Sequence, residues 1–291
     1  MIYAELTCRI NRTIIIFDNI SRSICIRRGF VNAKRKGGYD IKTEHKPTLR
    51  ALSVLELVAQ HSNQYTLSEL SSELGIPAST LLPIVHTLRD KRYLAYNDKT
   101  QSYSLGYRLF ELGSMIEETD FFSGILDIMH TVVDGCGETC HFGVLSGGDV
   151  LYLAKVNSPQ TIRMYSMTGR RLPAYSTAIG KALLRDYTQK QLREVYPDGL
   201  KALMPNTITD IDELYRQLLE IRKQGFAYEQ EESNKNLRCI AVPVCIDGKV
   251  SAALSVSIPI FRYSEELRQK IESLLTEAAD FAGRILPFRL L

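Results

Sequence analysis

Between Thr66 and Asp90 the chain leaves little choice of local fold. Thr66-Leu67-Ser68-Glu69 matches a capping box, in which the threonine hydroxyl and the glutamate carboxylate satisfy each other's free backbone amides. Gly75 stops this helix after Leu74, and Ile76-Pro77 makes a tight turn. Leu81, Ile84, Val85 and Leu88 then repeat as the buried stripe of a further helix. Upstream, Ala51, Leu52, Leu55, Val58 and Ala59 mark an amphipathic helix that starts after Pro47-Thr48 and breaks at His61-Ser62-Asn63-Gln64. Downstream, Tyr93-Leu94-Ala95-Tyr96, a turn at Asn97-Asp98-Lys99-Thr100 and Ser102-Tyr103-Ser104-Leu105 read as a two-stranded hairpin. This order predicts a winged helix-turn-helix over residues 47–107, with the helix-turn-helix at about 66–89. A short turn between two helices sets the second one proud of the surface, where it fits a DNA major groove. The competing reading is a small helical module that packs against another surface.

The equipment for DNA is sparse. The outward positions of the third helix are Ala78, Ser79, Leu82, Pro83 and His86, with no Lys or Arg before Arg89. Inside a helix, Pro83 removes one hydrogen bond and clashes with the preceding turn, at roughly 3 kcal/mol or a kink. The cations available for phosphates reduce to Arg50, Arg89, Lys91, Arg92, Lys99 and Arg108, of which Arg50, Arg89 and Lys99, with Ser68 at the start of the second helix, are the candidate contacts. Base readout falls to Ser79, Thr80 and His86, with Leu82 placed for a thymine methyl.

The rest of the chain alternates helices with antiparallel strands. A connector helix is expected within residues 108–122, then a helix over Ser123–Val133. Strands are expected at His141–Leu145, Val150–Val156 and Ile162–Met167, with Ser146-Gly147-Gly148-Asp149 as the turn between the first two. A loop over Leu172–Thr177 feeds a helix at Ala178–Asp186. Further helices follow at Gln189–Tyr196 and Ile211–Gln224, then strands at Arg238–Ile246 and Lys249–Ile258 and a helix over Ser264–Arg284. Residues 123–291 thus read as an α+β sensor-like domain.

Charge and cysteines narrow the partners and the chemistry. Residues 1–47 carry ten basic against four acidic residues, a net +6, which leaves −3 for the remainder of a chain at +3. That basic arm suits nucleic acid or is a leader without a role. Residues 1–46 show neither helical nor strand period and are expected to be poorly ordered. The longest apolar run, Cys239 to Ile246, is far short of the roughly 18 residues that span a bilayer. With no signal-peptide core either, a cytoplasmic protein without a membrane partner is expected. Six cysteines make no disulfide scaffold and read as reduced core thiols, and no metal or cofactor is expected. Among catalytic patterns there is no G-x-S-x-G, P-loop or H-E-x-x-H. Cys136, Cys140 and His141 leave only a remote Cys/His-dependent enzyme open.

These stretches resemble the IclR family of bacterial transcriptional regulators over about residues 48–288. The resemblance is carried by Leu67-Ser68-Glu69-Leu70 with Gly75-Ile76-Pro77-Ala78-Ser79-Thr80, and by Tyr103-Ser104-Leu105-Gly106. It continues in Gly169-Arg170-Arg171-Leu172-Pro173, Thr177-Ala178-Ile179-Gly180-Lys181-Ala182 and Gly225-Phe226-Ala227-Tyr228-Glu229-Gln230-Glu231-Glu232. Arg238-Cys239-Ile240-Ala241-Val242-Pro243-Val244 and Ala252-Ala253-Leu254-Ser255-Val256-Ser257 complete it. The resemblance implies an α+β chain: an N-terminal winged helix-turn-helix joined by a linker helix to a GAF-like effector-binding domain. Such proteins act as homodimers or tetramers on double-stranded DNA operators and respond to small metabolites, often carboxylates.

The family's effector pocket falls here on Thr161, Met164, Ala178, Ile179, Glu229, Cys239, Ser255 and Ser257. Met164, Ile179 and Cys239 would be ordinary core in any fold. Ser255 and Ser257 alternate on one strand face, and the amides that start the 178–186 helix suit an anion. The family usually places basic or polar residues where this chain has Ala78, Leu82 and Pro83. Three functions therefore remain: a ligand-responsive regulator, a sensor or heteromeric partner with weak DNA contact of its own, and, remotely, an enzyme.

Overall fold

The computed structural model describes residues 9–10, 13–14, 45–60, 65–117, 119–161 and 167–286. Two dipeptide strands, β1 (Arg9–Ile10) and β2 (Thr13–Ile14), pair antiparallel. The other residues of the expected leader lie outside the described ones, save His45 and Lys46.

Helices α1 (Lys46–Gln60), α2 (Leu67–Leu74) and α3 (Ala78–Asp90) pack with β3 (Tyr65–Thr66), β4 (Leu94–Asn97) and β5 (Ser102–Leu105). The apolar stripes meet in one core of Val54, Val58, Leu70, Leu81, Val85, Leu94 and Tyr103. Burying an aliphatic side chain of this size is worth roughly 1.5–3 kcal/mol before its entropy is counted. The capping box closes: Thr66 Oγ1 accepts from the Glu69 amide at 3.3 Å, and Glu69 Oε2 accepts from the Thr66 amide at 2.8 Å. Gly75 ends α2 at φ 62°, a left-handed conformation that glycine adopts without the Cβ clash. β3 was not expected from the sequence. The cap holds Thr66 extended, and this sets Tyr65 and Thr66 opposite Tyr103 and Ser102 as a third strand, in the order β3-β5-β4. Nor does Pro83 interrupt α3, which runs unbroken past it. Ser79 and Pro83 are both exposed, so water reaches the Ser79 carbonyl that the missing proline N–H cannot serve.

Helix α4 (Tyr107–Glu117) leads to α5 (Asp120–Cys136). Then come β6 (Thr139–Ser146), β7 (Asp149–Val156), β8 (Arg171–Pro173), a 3-10 turn at Ala174–Ser176 and α6 (Ala178–Leu183). The chain continues with α7 (Gln189–Val195), α8 (Ile211–Gln224), β9 (Ala227–Gln230), β10 (Leu237–Ile246), β11 (Lys249–Pro259) and α9 (Glu265–Ile285). The strands form one antiparallel sheet ordered β8-β7-β6-β11-β10-β9. α5 and α9 cover one face, where Met129, Phe142, Leu254, Val256 and Leu275 are buried together. α6 and α8 cover the other, where Ile179, Leu183, Leu214 and Leu218 are buried with Ala241 and Ala253. Side chains alternate along a strand, so Leu254, Val256 and Ile258 enter the first core and Ser255 and Ser257 share the second face with Ala253.

Three sequence expectations change. The loop at 172–177 contains edge strand β8 and the 3-10 turn, because Leu172 and Pro173 pair with Val150 and Asp149. The helix expected to reach Asp186 ends at Leu183, and the short edge strand β9 went unread. Of the cysteines, Cys140 is a core thiol, but Cys136, Cys239 and Cys245 are only half-buried. The strand expected over Ile162–Met167 lies outside the described residues except for Met167. Gly180 is required by contact: a Cβ there would meet the Ala174 carbonyl oxygen at 2.2 Å, so only glycine lets α6 lie against the turn that precedes it.

Candidate functional site

The DNA-facing candidates sit on two helices, the first turn of a third and the wing. On α3, Ala78, Ser79, Leu82, Pro83 and Thr87 are exposed, while Thr80 and His86 are half-buried beside the core residues Leu81 and Val85. Leu82 keeps 39% of its surface in water. Arg89 is half-buried and paired with Asp90 at 2.9 Å. Ser68 is exposed at the start of α2, Arg50 is half-buried on α1, and Lys99 is exposed in the wing turn, its amide donating to Asn97 Oδ1 at 3.0 Å. Lys91 and Arg92, two of the cations expected for phosphates, are both exposed just past α3. Arg92 has φ 64° and donates to the Tyr107 hydroxyl, so it turns back toward α4.

On the α6-covered face of the large sheet, register assembles a polar row. Cys239 on β10 pairs with Glu229 on β9 and with Ser257 on β11; Cys239 Sγ and Ser257 Oγ lie 3.3 Å apart. One step along, Ser255 pairs with His141 on β6, which pairs with Lys155 on β7. Tyr152 stands edge-on to His141, their rings 5.4 Å apart. Ala178 and Ile179 are buried on α6. Thr161 is exposed at the edge of the described residues, and Met164 lies outside them. The helix-start amides are less available than expected: Thr177 Oγ1 accepts from the Gly180 amide at 3.1 Å, and α6 is only six residues long.

Burial tunes these groups. It drives the His141 imidazole down to about 3, the nearby Lys155 charge adding to the effect. It raises the Glu229 carboxyl above the usual carboxylate range, against backbone amides and the Cys239 thiol that favour the ionised form. The Cys239 thiol is pushed well up by burial and the Glu229 charge. Glu229 Oε1 accepts from the amides of Glu232 at 2.6 Å and Ser233 at 3.1 Å. Behind it lies a network that the sequence reading missed. Lys181, 1% exposed, donates to Glu232 Oε1 at 2.7 Å and to Gln217 Oε1 of α8 at 3.1 Å. A lone lysine in the apolar run Ala178–Leu183 was the available signal, since a lysine is almost never buried without a partner.

The Cys/His arrangement does not assemble from neighbours in the chain. Cys140 and His141 are consecutive on β6, so their side chains point to opposite faces. Cys140 lies in the α5–α9 core, where burial raises its thiol far above the thiolate range. Among the described residues no three His, Cys, Asp or Glu side chains converge as metal ligands. No helix among them is long and apolar enough to cross a membrane.

A winged helix-turn-helix with one face of its third helix exposed, joined to a domain with a polar interior face, defines the class of DNA-binding transcriptional regulators. The helix-turn-helix model of the IclR family matches residues 47–98, and the model of the bacterial transcriptional regulator IclR C-terminal region matches residues 113–282. The chain belongs to the IclR family. It is 34% identical over 235 residues to the transcriptional regulator KdgR of Escherichia coli K12, covering 79% of this chain and 89% of that one. It is 30% identical to XynR of the same organism, covering 82% of this chain and 96% of that one. An IclR regulator from Alicyclobacillus acidocaldarius superposes with TM-score 0.73 at 28% identity, over 84% of this chain and 99% of that one. An IclR homologue from Microbacterium hydrocarbonoxydans, solved with 4-hydroxybenzoate, superposes with TM-score 0.67 at 26% identity, over 82% of this chain and 98% of that one. These relatives are regulators, not enzymes, and this chain is a regulator with a helix-turn-helix DNA-binding domain.

Proposed function

We propose that the chain is a cytoplasmic repressor that binds a promoter operator as a dimer or tetramer and is switched by a small carboxylate. Residues 47–107 serve as the DNA-binding unit, 108–122 as the linker helix and 123–291 as the effector unit, preceded by the basic leader 1–46. The two family matches support this division. The observation that carries the effector reading is the polar row of buried Glu229, Ser257, Ser255 and His141 with half-buried Cys239, on a sheet face otherwise lined by apolar side chains. Ala178 and Ile179 cap that row, and Thr161 and Met164 join the effector set on the family resemblance. The two serine hydroxyls donate to a carboxylate; Glu229 repels a second negative charge and accepts from ligand hydroxyls. A hydroxylated mono-carboxylate fits this balance, and 4-hydroxybenzoate in the homologue has that chemistry.

On DNA, Ser79, Thr80, Leu82 and His86 face the bases, while Arg50, Ser68, Arg89 and Lys99 fix the register on phosphates. Self-association is supported by α4, where Tyr107, Phe110 (80% exposed), Met115 and Ile116 put apolar surface into water. Two-fold symmetry then spaces the half-sites about 34 Å or a multiple apart.

Selecting genomic fragments with the purified protein, then screening carboxylates by thermal shift, tests both halves. Enrichment of a fragment that the active carboxylate releases is expected. A ligand at 100 times its dissociation constant adds about 2.7 kcal/mol of stability, and Ser255→Ala with Ser257→Ala abolishes the shift. The exposed Leu82 and Pro83 favour a second reading, a sensor or heteromeric partner with weak DNA contact. No enriched fragment at low salt, with the ligand shift intact, selects that reading.

A further inference from the structure

A cavity of about 280 Å³ opens between α8 and β9, at the sheet edge beside the polar row. Ile221 gives it an apolar wall, and the exposed Gln224 of α8 stands at its rim, while the Tyr228 side chain turns to the other face of β9 and donates to Glu272. Two glutamates line it, Glu229 at 2% exposure and Glu232 at 7%, and Oε2 of each has no hydrogen-bond partner. A buried carboxylate oxygen left without a donor is costly, and such groups in native proteins are normally satisfied. Of the other charges here, Arg216 is held by Glu213 at 2.7 Å, Glu220 by Lys223 at 2.8 Å, and Lys181 is spent on Oε1 of Glu232. Glu229 has only two backbone amides and the neighbouring Cys239 thiol. The cavity therefore lacks one positive charge carried by a hydrogen-bond donor.

We infer that this cavity binds a small organic monocation, a primary ammonium with a short alkyl or polar tail, held by Oε2 of Glu229 and Oε2 of Glu232. An ammonium brings three donors and a single charge, and Ile221 covers its tail. The site shares Glu229 with the proposed effector row but does not rest on the effector being a carboxylate. If one ligand bridges both places it is zwitterionic, its carboxylate on the serines and its ammonium on the glutamates. The titratable and charged groups around the pair are Lys181 of α6, Glu213, Arg216 and Glu220 of α8, Tyr228 of β9, Cys239 of β10 and Tyr152 of β7. Both carboxyls are raised chiefly by burial. Protons therefore compete with an ammonium for this pair, and its affinity rises as pH climbs through that titration.

The test is calorimetry and thermal shift on the full chain with propylammonium chloride, against tetramethylammonium chloride and sodium chloride at equal ionic strength. Saturable binding of propylammonium is expected, with no response to tetramethylammonium, which has no N–H. Glu232→Gln and Glu229→Gln weaken binding about tenfold or more, the value of one charge-assisted hydrogen bond. Gln224→Trp, which fills the mouth from an exposed position on α8, blocks binding and keeps the question open to decision if the glutamate variants do not fold. Equal shifts with all three salts, or propylammonium binding that survives these variants, overturn the inference. Carboxylates alone, run in parallel, separate the two readings: a carboxylate response without an ammonium response sinks only this site, and the converse sinks only the effector proposal.

Discussion

Lys181 and Glu232 show what single residues contribute to the effector domain. Each is buried, so removing one partner strands the other charge in a nearly dry interior, a loss of about 3–5 kcal/mol. Lys181→Met should lower the unfolding free energy from urea titration by that amount, and adding Glu232→Leu should restore most of it, because the charge that needed an answer is gone. If the single variant is neutral, the pair is not the buried contact described here. His141 gives a pH signature of known sign. Its folded pKa lies below the unfolded value of 6.5, so its stabilising effect is full above 6.5 and is lost as pH falls toward about 3. Within that window the unfolded chain takes up a proton that the folded chain refuses, at about 1.4 kcal/mol per pH unit. Urea titrations between pH 5 and 6.5 should show the wild-type slope exceeding that of His141→Leu by about this amount. Equal slopes would mean that His141 protonates in place.

Among the elements, α3 and α4 carry the sharpest expectations. The exposed part of α3 before Arg89 offers methyl and hydroxyl groups but no cation. Sequence readout by Leu82 rests on thymine methyls. Replacing thymine by deoxyuridine across a selected operator removes only those methyls, and band-shift titration should show weaker binding that Leu82→Ala no longer distinguishes. Unchanged binding would move recognition to Ser79 and His86. Pro83→Arg restores an amide donor to the Ser79 carbonyl and adds a phosphate or guanine contact. Affinity should improve by ~1–3 kcal/mol if a base is reached, with a steeper salt slope. On α4, Phe110→Glu puts a charge where apolar surface now meets water. Light scattering should then report a smaller species at the same concentration, while urea stability of the monomer holds.

At the scale of the whole molecule, one antiparallel sheet divides the effector unit into two interiors of different character. The α5–α9 side is apolar and stabilises the fold. The α6–α8 side mixes Ile179, Leu183 and Leu218 with serines, a histidine, a lysine and two glutamates. Burying polar groups in the second interior costs stability that the first supplies, which is how a domain keeps a binding site and still folds. The glycine at 180 and the cap at Thr177 hold α6 over that second interior. A ligand there would act on the helices α6 and α8 rather than on the α5–α9 core.

Much of this was legible in residue order, because local signals have local causes. The capping box, Gly75, the stripe of Leu81 and Val85, and the alternation of Ser255 and Ser257 with Leu254 and Val256 each depend on chain neighbours within one turn or one strand. So the winged helix-turn-helix, the long paired strands of the sheet and its two-sided character follow from the sequence alone. What the sequence left undecided depends on pairing at long range. β8 and β9 are short edge strands whose extension comes from their partners, and β3 exists only because the cap presents Thr66 to Ser102. Glu229, Cys239 and Ser257 became neighbours through register across three strands, and Lys181 found Glu232 across 51 residues of chain. No periodicity records such meetings. The sequence determined which faces would be apolar, and only the tertiary structure decided which buried charges would share a cavity and which would be left without a partner.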